Sequence, residues 1–171
     1  MNSRTIFINI FRWIILLFVQ IFLLRNLAYY NLSTPFVYIL FLMALPFGIP
    51  NILLFLLAFG TGLTLDAFYD TLGVHTSACV ALALVRVLFI SVSFNRDAID
   101  EPEPSLGNMG FKWFSVYAIL CIIVHHLVVF FLEAFKLDEA GYTLGRALLS
   151  AVFSLFVILL VEFIFHNRKA N

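Results

Sequence analysis

The sequence predicts an all-α fold, a polytopic membrane helical bundle of about six transmembrane helices in one domain over residues 1–171. Three observations lead there. Hydrophobic residues make up 63% of the chain and charged ones 12%, with a mean hydropathy of +1.06. A soluble domain carries roughly 25% charged residues, so this composition suits lipid as its solvent. Second, apolar runs approaching the roughly 20 residues that cross a bilayer recur from end to end. Third, the stretch Gly60 to Arg86 joins an apolar run to a run of small residues through two carboxylates and a glycine turn, which reads as a helical hairpin in lipid. Ten basic and ten acidic residues balance to zero, and no basic patch argues for nucleic acid.

Span one is expected over about 6–24. It holds Arg12 and Gln20, eight apart and therefore roughly on one face, with Arg12 placed to snorkel to the headgroups and Trp13 to sit in an interfacial belt. No small-x-small cleavage site follows it, since Leu24, Arg25, Asn26 and Leu27 stand there, so the span is expected to be retained as an anchor. Span two is expected over 36–46 and is short, because Pro46, Gly48 and Pro50 break it. A single helix over 36–65 would run about 45 Å, more than the hydrocarbon core. Two helices joined by the turn PFGIP fit better. Spans three to six follow at 51–68, 75–92, 112–132 and 144–165. The stretch 93–110 is acidic and interrupted by Pro102, Pro104, Gly107 and Gly110, and reads as a solvated loop.

Six spans place both ends on one side. With the N-terminus inside, Arg4, Arg12, Arg96, Lys112, Arg168 and Lys169 are cytoplasmic against Arg25, Lys136 and Arg146 outside. The positive-inside rule therefore expects both termini in the cytoplasm and Asp66, Asp70 and Gly73 near the outer leaflet.

Ionisable residues inside a bilayer are costly, and each needs a reason. Asp66 and Asp70 lie four apart and share a helix face, with Gly62 one turn before Asp66 and Ala58 one turn before that. Such a stripe lets a neighbouring helix come close and then offers it a charge. Gly73 turns the chain. Arg86 lies deep in span four and is expected to pair with Asp66, if it extends outward, or with Glu162. Gly62, Asp66, Asp70, Gly73 and Arg86 are thus the packing or partner-recognition candidates. His125 and His126 are adjacent and point to different faces, one expected at the bundle and one at the interface. Metal sites on helices want a spacing of three or four, and no acid or histidine stands there, so no metal is expected. Cys79 and Cys121 form no CxxC and read as packing residues. No Walker loop, dinucleotide loop, GxSxG or HExxH is present. No enzyme and no cofactor is expected.

With Gly60, Gly62 and Asp66 on an apolar helix, then Leu72, Gly73 and His75 before a small-residue helix, the central 27 residues resemble the rod shape-determining protein MreD family. Outside them the similarity is one of size and hydropathy. The resemblance implies a bacterial inner-membrane scaffold of the wall-elongation machinery. Its partners would be the bitopic protein MreC, the actin-like MreB, and the peptidoglycan synthases. It also implies a fold like the substrate-binding subunits of energy-coupling-factor transporters. The alternative reading is such a vitamin-type transporter subunit, with an outward polar pocket drawing on Asp66, Asp70, Gln20, Arg146 and Glu133.

Overall fold

The computed structural model describes residues 3–27, 33–94, 103–135 and 139–169. The regular elements among them are helices: α1 Ser3–Phe18, α2 Ile39–Met43, α3 Asn51–Tyr69, α4 Val74–Ser93, α5 Leu106–Met109, α6 Phe111–Ala134 and α7 Ala140–Lys169. A π-helical turn, Val19–Leu23, extends α1, and a 3₁₀ turn, Leu24–Leu27, follows it. Among the described residues five stretches are long and apolar enough to cross a membrane: Ser3–Leu23, Asn51–Tyr69, Val74–Ser93, Phe111–Ala134 and Ala140–Ile164. Their outer faces carry exposed Phe7, Phe11, Phe18, Leu56, Leu63, Leu88, Leu148 and Phe156, while Asn9, Gln20, Asp66, Arg86, both central histidines, Ser150 and Ser154 are buried. Apolar groups outward and polar groups inward is the distribution lipid demands. The chain is a multi-pass membrane protein.

The sixth expected span is a correction. Residues 36–46 hold a helix of only five residues, and Phe36 through Leu45 are each at most 4% exposed. This segment meets protein on all sides, which is why its composition is as apolar as a span. Pro46 and Pro50 stop it, as the sequence implied, and Ile49 N–H reaches back to the Pro46 carbonyl at 3.3 Å.

The side-chain contacts give the directions. Trp13 Nε1 donates to Thr61 Oγ1 and Gln20 Nε2 to the Tyr69 hydroxyl, so α1 and α3 run parallel. Gln20 also meets residues 35 and 37, and Arg12 meets Ala44, so the buried segment runs antiparallel to α1, back through the bundle interior. From α3 onward the helices alternate, with α3 packed on α4, α4 on α6 and α6 on α7. The start of α1 and the end of α7 lie at one end, where Arg12 pairs with Glu103 and the Leu106 N–H bonds Glu162. Trp13 faces α3 rather than the headgroup belt.

The acidic stretch differs from expectation in its second half. Residues 95–102 lie outside the described residues. Beyond them Ser105 caps α5, taking the Asn108 N–H on its hydroxyl, and α5 packs on α6 and α7. Glu103 and Glu162 draw this part onto the bundle, so it is a docked corner and not a free loop.

Candidate functional site

The α3–α4 hairpin is built on Gly62 and Asp66. A methyl at Gly62 would sit 2.3 Å from Thr76 Cα and 2.7 Å from the His75 carbonyl oxygen. Only a hydrogen fits there, and the two backbones therefore touch. One turn on, the Asp66 side chain reaches the start of α4. Its Oδ1 accepts the His75 N–H at 2.9 Å and the Thr71 hydroxyl at 2.5 Å. Its Oδ2 accepts the Thr76 N–H at 3.0 Å and the Thr76 hydroxyl at 2.6 Å. The residue at the N-cap position of α4 is Gly73, which has no side chain to cap with and adopts φ 81°. Asp66 supplies from α3 the acceptor that Ser, Thr, Asp or Asn would normally supply locally, and its charge suits the positive end of the α4 dipole. His75 Nδ1 stands 3.1 Å from Oδ1. A carboxylate only accepts, so the proton of this imidazole is on Nδ1. At 4% exposure the Asp66 carboxylate holds α4 and is turned away from any outside partner. Asp70, the C-cap of α3 at φ 56°, is exposed, as is Leu72 at the tip.

Arg86 pairs with neither carboxylate proposed for it. Its Nη2 donates to the carbonyls of Leu45 at 2.5 Å and Pro46 at 3.2 Å. The reason lies in α2. The last carbonyls of a helix have no partner within it, and here Met43, the last residue of α2, is buried, as are Ala44 and Leu45 in the turn that follows it. Tyr117 Oη donates to Met43 O at 3.0 Å and Arg12 Nη1 to Ala44 O at 3.1 Å. Carbonyls 43 through 46 are therefore satisfied by three side chains from α1, α4 and α6. Two of the three are cations at a helix C-terminus, the favourable end for positive charge.

The other end of the buried segment is treated alike. Gln20 sits in the π turn, fully buried. Its amide donates to Pro35 O at 3.1 Å and accepts from Val37 N–H at 2.9 Å, which is how a neighbouring strand would pair with residues 35 and 37. Ser150 and Ser154 accept the N–H groups of Thr34 and Phe36 at 3.0 and 2.8 Å. Both histidines of α6 are fully buried, and neither faces the interface. His125 Nε2 meets the Tyr38 hydroxyl at 2.6 Å, and His126 Nε2 meets Ser154 Oγ at 2.9 Å. Phe36 lies 5.2–5.7 Å, ring to ring, from His75, His125 and His126. Among the described residues no group of three or more His, Cys, Asp or Glu is placed to hold a metal. Cys79 and Cys121 are free and buried.

At the Tyr69 end a cavity of about 110 Å³ is lined by Thr34, Phe36, Tyr69, Thr71, His75 and Phe130, with Glu133 and Arg146 at its wall. Of the residues the transporter reading drew on, it gathers Glu133 and Arg146. Gln20 and Asp66 are engaged with the backbone beside it.

Comparison with protein families, with curated proteins and with solved structures gives no match.

Proposed function

We propose that this chain is a non-catalytic scaffold subunit of the bacterial cell-wall elongation complex, lodged in the inner membrane beside an MreC-like bitopic protein and linked to MreB-like filaments and peptidoglycan synthases. The observation that carries it is the Gly62–Asp66–Gly73 hairpin, the segment in which the sequence resembles the MreD family. Its residues fasten two helices and set a corner with exposed Asp70 and Leu72 at the end of the bundle. The buried polar groups serve the same reading, because Asp66, Arg86, Gln20 and Tyr117 are each bound to the chain's own backbone. On the count of six Lys and Arg against three, both termini are cytoplasmic and the corner is on the outer side. Counting the buried segment as a sixth passage makes a fold like the energy-coupling-factor substrate-binding subunits part of this proposal.

Co-purification from membranes tests it. The chain should recover wall-synthesis partners, and its depletion should round rod-shaped cells. Leu72→Lys should weaken partner recovery with no loss of thermal stability, whereas Asp66→Leu should spare insertion but lower both. Recovery of no wall-synthesis partner, with cell shape normal on depletion, would refute the assignment. The vitamin-transporter alternative is disfavoured by size. Ligand pockets measure roughly 300–1,000 Å³, and the cavity at this end holds about 110 Å³.

A further inference from the structure

We infer that the cavity at the Tyr69 end binds a small zwitterion, with a primary ammonium held by Glu133 and His75 and an anionic group held by Arg146. The inference rests on the cavity itself and not on the scaffold assignment. Glu133 and Arg146 line the same cavity with opposite charges, yet among the described residues neither forms an ion pair. Arg146 is held instead over the Phe130 ring, 5.0 Å from guanidinium carbon to centroid, and its Nε is buried with no partner. His75 is 3% exposed. Its Nδ1–H is committed to Asp66, which leaves Nε2 as an acceptor, and Nε2 too is buried with no partner. A buried polar atom without a hydrogen bond is costly, because it has given up water for nothing. The two residues that carry these atoms, one a donor and one an acceptor, line one cavity.

The donors and acceptors sort by charge. Glu133 and His75 Nε2 accept and call for a group bearing N–H donors and positive charge. The rings of Phe36, Tyr69 and Phe130 line the same space; Tyr69 and Phe130 already carry the guanidinium groups of Arg25 and Arg146 over a face, which leaves Phe36 as the ring that can favour a further cation. Arg146 donates and calls for an oxyanion, for which its planar fork is suited. At about 10–15 Å³ for each water-sized position, 110 Å³ accommodates roughly seven to eleven such positions. That matches an α-amino acid or a phosphoethanolamine group. The two share one chemistry, an ammonium a few bonds from an anionic oxygen. The first would come from water and the second from lipid.

The test uses the full-length chain purified in detergent. L-alanine, glycerophosphoethanolamine and dihexanoyl phosphatidylethanolamine are titrated by calorimetry and thermal shift, beside dihexanoyl phosphatidylcholine, whose ammonium has no N–H. At least one of the first three should bind saturably. The choline lipid should bind roughly tenfold more weakly or worse, since a charged hydrogen bond is lost. Glu133→Gln and Arg146→Gln lie at the cavity wall outside the Asp66 network, so both should fold as the parent does. Each should weaken binding roughly tenfold or more. Binding of alanine or glycerophosphoethanolamine identifies a free zwitterion. Binding of the lipid alone identifies a membrane headgroup. Absence of saturable binding by all three, affinity that survives either substitution, or equal binding of the choline lipid would overturn the inference and leave a cavity filled by water alone.

Discussion

Gly62 and Gly60 stand two residues apart on α3 and do different work. At Gly62 the added methyl of alanine meets backbone atoms of α4, which cannot swing aside. Overpacking of this kind costs about 1–3 kcal/mol, occasionally more. At Gly60 nothing lies within 4 Å, and alanine in a helix interior gains about 0.5–1 kcal/mol over glycine. Gly62→Ala should therefore lower the melting temperature in detergent and Gly60→Ala should raise or preserve it. Equal effects would mean that α3 and α4 are not in backbone contact. Asp66→Asn keeps the shape of the cap but replaces one acceptor oxygen with a donor facing donors, and a loss of about 1–3 kcal/mol follows. At this scale the sequence was legible where geometry is local. Glycine and aspartate one turn apart share a helix face whatever surrounds them, and Gly73 in a left-handed turn is what its residue type invites. What Asp66 faces was not legible. The carboxylate looks like a handle for a partner until the missing cap at Gly73 is seen beside it. Arg86 was unreadable for a related reason, since backbone carbonyls are acceptors that leave no trace in a sequence.

The buried segment from residue 34 to residue 46 is the element that the surrounding helices are chemically fitted to. Short, irregular backbone inside a membrane survives only where protein covers and satisfies it. Here Gln20, Ser150 and Ser154 serve one end and Arg12, Arg86 and Tyr117 the other. Interhelical hydrogen bonds in membranes average about 0.6 kcal/mol and reach about 1.7. Tyr117→Phe removes a donor to a single carbonyl and should cost an amount in that range. Arg86→Met strips both Leu45 and Pro46 and should cost more, with the two substitutions compared by melting temperature in one detergent. A smaller loss for Arg86→Met than for Tyr117→Phe would show that the segment does not depend on the guanidinium. Length was the misleading signal in the sequence. Ten hydrophobic residues from Phe36 to Leu45 have the hydropathy of a short span, and hydropathy does not distinguish lipid from a protein interior. On α7 the stripe Thr143, Ala147, Ser150, Ala151, Ser154 and Ile158 is all buried, and Ser150 and Ser154 within it receive the segment's amides.

For the whole molecule, the parallel pairing of α1 with α3 requires the chain to return through the interior between them, so the start of α1 and the end of α7 share one end of the bundle. A cysteine placed at Ser3 and one placed at the fully exposed Leu72 should react with a membrane-impermeant maleimide from opposite sides. The native thiols Cys79 and Cys121 are both fully buried and should stay silent. Labelling of both positions from one side would contradict the packing order. The all-helical bundle and the boundaries of its five long helices were legible within a few residues, because about twenty apolar residues between polar breaks have one economical solution in lipid. Docking of Glu103 and α5 was not, since a proline- and acid-rich stretch reads as solvated until Arg12 and Glu162 supply its partners.

The amides of Thr34 and Phe36 wait for hydroxyls that stand 116 and 118 positions later in the chain. At the roughly 5–20 residues per second of ribosomal synthesis, those hydroxyls emerge about 6–24 s afterwards. Until then the returning stretch has no complete shelter, and the insertion machinery or a chaperone must hold it. Nascent chains halted before Ser150 should remain protease-sensitive around Phe36, and the final helix closes the structure by giving its oldest exposed backbone somewhere to bond.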